Sequence, residues 1–223
     1  MKLYEIAGNT IQKIDSLSAP ELADLIKREC SEFVKAYIKT NGSYLYRGVQ
    51  DATRDWDYAI TRNIRTDRKP VEMPADFHQL INTSMTEMGL QAHRGNSIFC
   101  TTNTSTANDW GQPFLIFVAD GWAGTVFEEE RRDYLYSALY LAAKDITYRG
   151  EDEDQAKRSM MHELKKLKPR SFRTNAGLQA VIKSKYNDIL ITGTKYYGLA
   201  VDEYGDFLNH KGLEAIKLIV GDN

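Results

Sequence analysis

Apolar and polar positions alternate along this chain with two different periods. Leu22, Leu25, Ile26, Phe33, Tyr37 and Ile38 recur at helical intervals, and Ser18 with Glu21 has capping-box spacing just before them. The pattern predicts one helix from about residue 18 to 38, ended by Asn41-Gly42. Tyr44-Leu45-Tyr46 then reads as a short strand running into Arg47-Gly48. From Asp51 to Pro74 the chain is polar and aperiodic, with Arg54, Arg62, Arg65, Arg68 and Lys69. That is too long for an ordinary connection, so a structured functional loop is expected.

Beyond Pro74, Phe77, Leu80, Ile81, Met85 and Met88 mark a second helix. Ser97 to Thr102 reads as a strand, followed by a short helix holding Ala107 and Trp110, and Phe114 to Val118 as a buried strand. Asp133 to Ala143 and residues 151–168 carry helical stripes, the latter through Met160, Met161, Leu164 and Leu167 as core packing. The last third turns β-prone at Asp188–Thr192, Tyr196–Val201 and Ala215–Val220. Helices gathered early and strands late predict an α+β fold. Neither a G-x-G-x-x-G after a strand nor a Walker sequence occurs.

Composition narrows the function classes. The 223 residues fit one large domain or two very small ones, and the 42% apolar content can build a core. Lys plus Arg (29) nearly balances Asp plus Glu (31), so no global field draws nucleic acid or membranes. Cys30 and Cys100 are far apart, and the histidines at 78, 93, 162 and 210 make no metal spacing with them. A reduced, cytoplasmic protein is expected, with a disulfide left open. No signal-peptide stretch or membrane span is read, and no metal is expected.

Three separated segments carry candidate chemistry. Tyr44 to Gly48 ends an apolar strand in a cation and a glycine. Ile98-Phe99-Cys100-Thr101-Thr102 ends a strand in small polar groups, and Asn187-Asp188 puts a carboxylate at the mouth of a buried strand. Read singly, each has an ordinary alternative. Arg47 suits a surface strand end, Asp188 a turn, Cys100 a small core residue, and Thr101 and Thr102 a pleated surface. The Arg62–Lys69 cluster reads as a solvated face or as a binder of an anionic substrate.

Taken together, in this order, the segments resemble the Arg / Ser-Thr-Ser / Glu pattern of ADP-ribosyltransferases. Tyr46-Arg47-Gly48 matches the aromatic-Arg-Gly motif, and Ile98 to Thr102 the aromatic-x-Ser-Thr-Ser stretch, with Ala107 and Trp110-Gly111 in the helix that follows. The resemblance spans about Tyr44 to Tyr197. The chain also looks like proteins encoded by tailed bacteriophages, through Asp67-Arg68-Lys69-Pro70 before an acidic helix.

The resemblance implies one domain over 1–223: an N-terminal helical part (1–43), then a split, mostly antiparallel sheet forming an NAD cleft (44–223). It implies NAD as co-substrate and transfer of ADP-ribose to a protein or nucleic-acid acceptor. Arg47 would pair with a phosphate or ribose, and Gly48 would offer backbone groups to the carboxamide. Cys100, Thr101 and Thr102 would order the site, and Asp188 would face the forming oxocarbenium. Phe114 or Trp110 would stack on nicotinamide. Asp188 stands where the family has Glu, and Cys100 where it has the first Ser. Asp202 and Glu203 are the alternative carboxylates. Tyr186 replaces the Glu or Gln of arginine-modifying members, which points away from arginine as acceptor. A non-catalytic binding module or virion component, and an NAD glycohydrolase, are the other functions consistent with these motifs.

Overall fold

The computed structural model describes residues 12–50, 58–68, 73–128, 134–186 and 188–221. Arg54, Lys69, Pro70 and Asn187 lie outside them. In chain order the first elements are β1 (Gln12–Lys13), α1 (Ala19–Glu29), α2 (Ser31–Tyr37), β2 (Tyr46–Val49) and β3 (Ala59–Asn63). There follow α3 (Ala75–Glu87), β4 (Ile98–Cys100), α4 (Thr104–Asp109), β5 (Gln112–Val118) and β6 (Ala123–Phe127). The remainder is α5 (Tyr134–Tyr148), α6 (Glu153–Lys166), β7 (Pro169–Phe172), α7 (Asn175–Lys183), β8 (Ile189–Thr192), β9 (Lys195–Ala200) and α8 (His210–Val220).

Two antiparallel sheets result, ordered β1-β3-β9-β5-β2 and β4-β8-β6-β7. Strand alternation divides the core between two apolar clusters. Ile98, Cys100, Val126, Ile189 and Ile191 point to one side of the second sheet and join Phe114, Ile116 and Val118 of the first. Phe99, Phe127 and Leu190 point to the other side and meet Ile81, Leu139 and Leu164 on α3, α5 and α6. On the far face of the first sheet Tyr37 of α2 stacks edge-on against Phe117, centroids 5.2 Å apart, and its hydroxyl donates to the Ile116 carbonyl at 2.6 Å.

Helices and strands thus make an α+β fold, but they interleave along the chain instead of segregating. The first helix begins with the expected capping box, in which the Ser18 N–H donates to a Glu21 carboxylate oxygen at 2.8 Å. It is broken at Cys30, where a distant residue supplies a new cap. Asp120 accepts from the Glu32 N–H (2.9 Å) and the Ser31 hydroxyl (2.6 Å), satisfying donors at the start of α2.

The β-prone reading of Ala215–Val220 is overturned, because this segment is the end of α8. Asn209 caps that helix through the Lys211 N–H at 2.8 Å, and Gly212, Ala215, Ile216, Ile219 and Val220 are buried at helical spacing. The i, i+3, i+4 stripe outweighs the β preference of its branched residues. No disulfide joins Cys30 and Cys100, both fully buried.

Candidate functional site

The site begins where the two sheets part. β2 is an edge of the first sheet and β4 an edge of the second. One bridge links them: the Tyr46 N–H donates to the Thr101 carbonyl at 2.7 Å, and the Thr101 N–H returns the bond at 2.9 Å. The Ile116 N–H donates to the Leu45 carbonyl at 3.0 Å. Leu45, Arg47 and Val49 therefore turn their backbone groups toward β5, while Tyr46 and Gly48 turn theirs outward. Among the described residues no pairing of β2 with β4 is seen past Tyr46, so the Gly48 N–H and C=O point away from β5 without a strand partner there.

Gly48 is also required by packing. A Cβ there would lie 2.1 Å from the Ala107 carbonyl oxygen and 2.7 Å from the Trp110 backbone carbon. Those are backbone atoms at the end of α4, which a rotamer change cannot move. Gly48→Ala is expected to lower thermal stability by several degrees or to prevent folding, as an overpacked core does (~1–3 kcal/mol or more). Wild-type melting for this variant would remove α4 as the fixed wall behind Gly48.

Asp188 reaches the same place from the other side. Cys100 pairs with Ile189, so Asp188 falls opposite Thr101 at the tip of β8. Thr102 fixes that approach, donating its N–H (3.3 Å) and its hydroxyl (3.1 Å) to the Tyr186 carbonyl. Tyr46, Thr101 and Asp188 thus sit side by side on successive strands, with the outer two about two strand spacings, ~10 Å, apart. Arg47 is 4% exposed and Asp188 9%. The Arg47 Nη1 donates to the Phe99 carbonyl at 3.0 Å, and its guanidinium carbon lies 5.9 Å from the Tyr196 ring centre.

The three sequence segments are therefore brought together, with roles in part different from those expected. Thr101 accepts from the Asn103 N–H at 3.1 Å and so leads into α4, while a main-chain carbonyl, that of Phe99, accepts from Arg47. Phe114 is the register partner of Arg47, but it is 1% exposed, with its Cβ 3.1 Å from where a Cβ on Gly198 would lie. It is a core ring. Trp110, half-buried at the C-cap of α4, backs Gly48 with its main chain and Cβ and packs against the second apolar cluster. Asp202 is occupied in its own turn, accepting from the Tyr204 and Asp206 N–H groups, both at 2.9 Å. The Glu203 carbonyl accepts from the Thr104 hydroxyl at 2.7 Å, which ties that turn to the start of α4.

The basic cluster that the sequence offers as a solvated face or an anion binder is partly built into the core. Arg62 is buried opposite Tyr196, and Arg68 turns inward, so this cluster is not a uniformly solvated face. Arg68 Nη1 donates to the Ser97 carbonyl at 2.8 Å, and the Arg68 carbonyl accepts from His78 Nε2 at 3.0 Å. Arg68 also lines a cavity of about 430 Å³ with Asp67, His78, Asn82, His93 and Gly95. No local motif announces these residues, because loop and helix positions far apart in sequence supply them.

Burial pushes the His78 imidazole down to about 4, and the positive charge of Arg94 adds to this. Since the Arg68 carbonyl can only accept, Nε2 carries the proton of the neutral ring. The folded pKa lies below the unfolded value, so the unfolded chain binds the extra proton between about pH 6.5 and 4. Stability is expected to fall on acidification through that window, by at most ~1.4 kcal/mol per pH unit from this group. Urea melts of wild type and His78→Gln check it: the variant's midpoint should depend less on pH there, and parallel curves would refute the assignment.

No protein-family model, curated protein or solved structure matches the chain. Among the described residues no helix is long and apolar enough to cross a membrane, and no group of three or more His, Cys, Asp or Glu is placed to hold a metal ion.

Proposed function

We propose that this chain is an NAD-dependent ADP-ribosyltransferase that cleaves the nicotinamide glycosidic bond and passes ADP-ribose to a macromolecular acceptor. The observation that supports it is that β2, which carries Arg47, the Cys100–Thr102 strand and the start of β8, which follows Asp188, are neighbouring segments where the two sheets meet. An arginine, a glycine backbone and a carboxylate are thereby carried on neighbouring segments. Those are the donors and the anion that a dinucleotide with a cationic leaving base requires.

The C1′–N bond breaks with its electron pair passing to the nicotinamide, which leaves neutral. Positive charge develops on the ribose, where the Asp188 carboxylate stabilises it more in the transition state than in the ground state. Arg47 holds the pyrophosphate side, and the Gly48 backbone holds the carboxamide. An acceptor nucleophile, on a protein or a nucleic acid, then bonds to C1′ and gives up its proton.

The test is nicotinamide release from NAD by the purified chain, offered lysate protein, RNA and DNA in turn. Neither release nor NAD binding in any arm would sink the reading. One observation favours a second reading, a non-catalytic binding module: Arg47 and Asp188 are both deeply buried, and Arg47 bonds a main-chain carbonyl. That module would release no nicotinamide with any acceptor. Free ADP-ribose as the product would instead identify a glycohydrolase.

A further inference from the structure

We propose that Phe99, clamped between Arg68 and Arg94, is the positioning residue for Arg47. β4 is a three-residue edge strand, held by β8 on one side and by a single bridge to β2 on the other. Thr101 directs its backbone groups at β2, so Phe99, two residues earlier, directs its carbonyl to the same side. The ladder has ended there, and a buried carbonyl needs a donor. The Arg47 guanidinium supplies it at 3.0 Å.

The orientation of that carbonyl depends on what fixes the Phe99 residue. Its ring lies on the opposite face of β4 from Cys100, 6% exposed, with the Arg68 guanidinium carbon 5.0 Å and the Arg94 guanidinium carbon 5.1 Å from its centre. Both are within cation–π range. Arg68 also grips the strand's approach, through its Nη1 to the Ser97 carbonyl (2.8 Å) and its N–H to the Gly95 carbonyl (3.0 Å). Ring, strand entry and carbonyl are therefore one rigid unit. A guanidinium is planar, so anchoring one N–H on that unit beside the Tyr196 ring sets the plane of the whole fork. Arg68, ahead of α3, and Arg94, ahead of β4, thereby bear on the aim of Arg47 through the Phe99 ring and carbonyl. The consequence for NAD rests on the activity proposed above; the mechanical coupling does not.

Phe99→Leu keeps an apolar side chain in the cluster and removes the ring, while Phe99→Tyr keeps the ring. Two readouts are taken on each: hydrogen exchange of the Arg47 guanidinium N–H groups by NMR, and NAD steady-state kinetics. Phe99→Leu is expected to speed Arg47 exchange about tenfold and to raise the KM for NAD about tenfold with kcat within about twofold, and Phe99→Tyr to restore both. Arg68→Gln, altered at a half-buried loop position, should move both the same way and stands in if Phe99→Leu does not fold. Unchanged Arg47 exchange in a folded Phe99→Leu or Arg68→Gln chain overturns the proposal. If the wild type binds no NAD, the transferase reading fails, and the exchange experiment still decides the positioning.

Discussion

Arg47→Ala is expected to weaken NAD binding at least about a hundredfold and to abolish measurable nicotinamide release. A charge-assisted hydrogen bond to a phosphate or ribose contributes ~1.5–3 kcal/mol, and more where the site excludes water. Arg47 is almost wholly buried at the split, so its charge acts in low dielectric. The variant also removes the donor to the Phe99 carbonyl, and an unsatisfied buried carbonyl costs ~1–3 kcal/mol. Stability must therefore be followed beside function, by thermal melting of the same samples. Arg47→Lys separates the two effects: it keeps the charge but not the planar fork, and is expected to recover stability more fully than affinity. Calorimetry giving wild-type NAD affinity for a folded Arg47→Ala chain would remove Arg47 from the cofactor site and leave it a strut between β2 and β4.

The parts of this molecule legible in the sequence are those encoded by short-range pattern. The Ser18–Glu21 box, the apolar face of α3 and the buried run of β5 depend on neighbours within a few positions, and each lies where its pattern places it. The three site segments could be named for the same reason, since each is a local strand end. What could not be read was supplied at a distance. The break at Cys30 comes from Asp120, and the anchor of Arg47 from the Phe99 main chain, which no side-chain motif encodes. The inward turn of Arg68 needs Phe99 and Ser97 as partners. Five elements, β1, β3, β6, β7 and α7, are not legible in the pattern: β1 and β7 are short, and β3 lies inside the polar Asp51–Pro74 stretch expected to be a loop, where pairing with β9 and not periodicity makes it a strand. The β-branched end of α8 was misread for the opposite reason: propensity was followed where the burial stripe, set by packing on α1, decides.

Asp188→Asn is expected to leave NAD affinity within a few-fold of wild type while lowering turnover by roughly a hundred- to a thousandfold. The substitution preserves shape and hydrogen-bonding capacity and removes only the charge, so the loss falls on the step in which ribose becomes cationic. Position matters as well as charge, because Asp188 directly precedes Ile189, which pairs with Cys100, and two Thr102 bonds hold the Tyr186 carbonyl nearby. A displacement of ~1 Å at such a group can cost about a hundredfold. Thr102→Val, which deletes the hydroxyl donor, should consequently reproduce a smaller part of the turnover defect with the charge intact. Turnover that survives Asp188→Asn would show that the carboxylate is elsewhere. Glu203 would then be next, since the Thr104 hydroxyl ties its carbonyl to the start of α4, and α4 packs directly on Gly48.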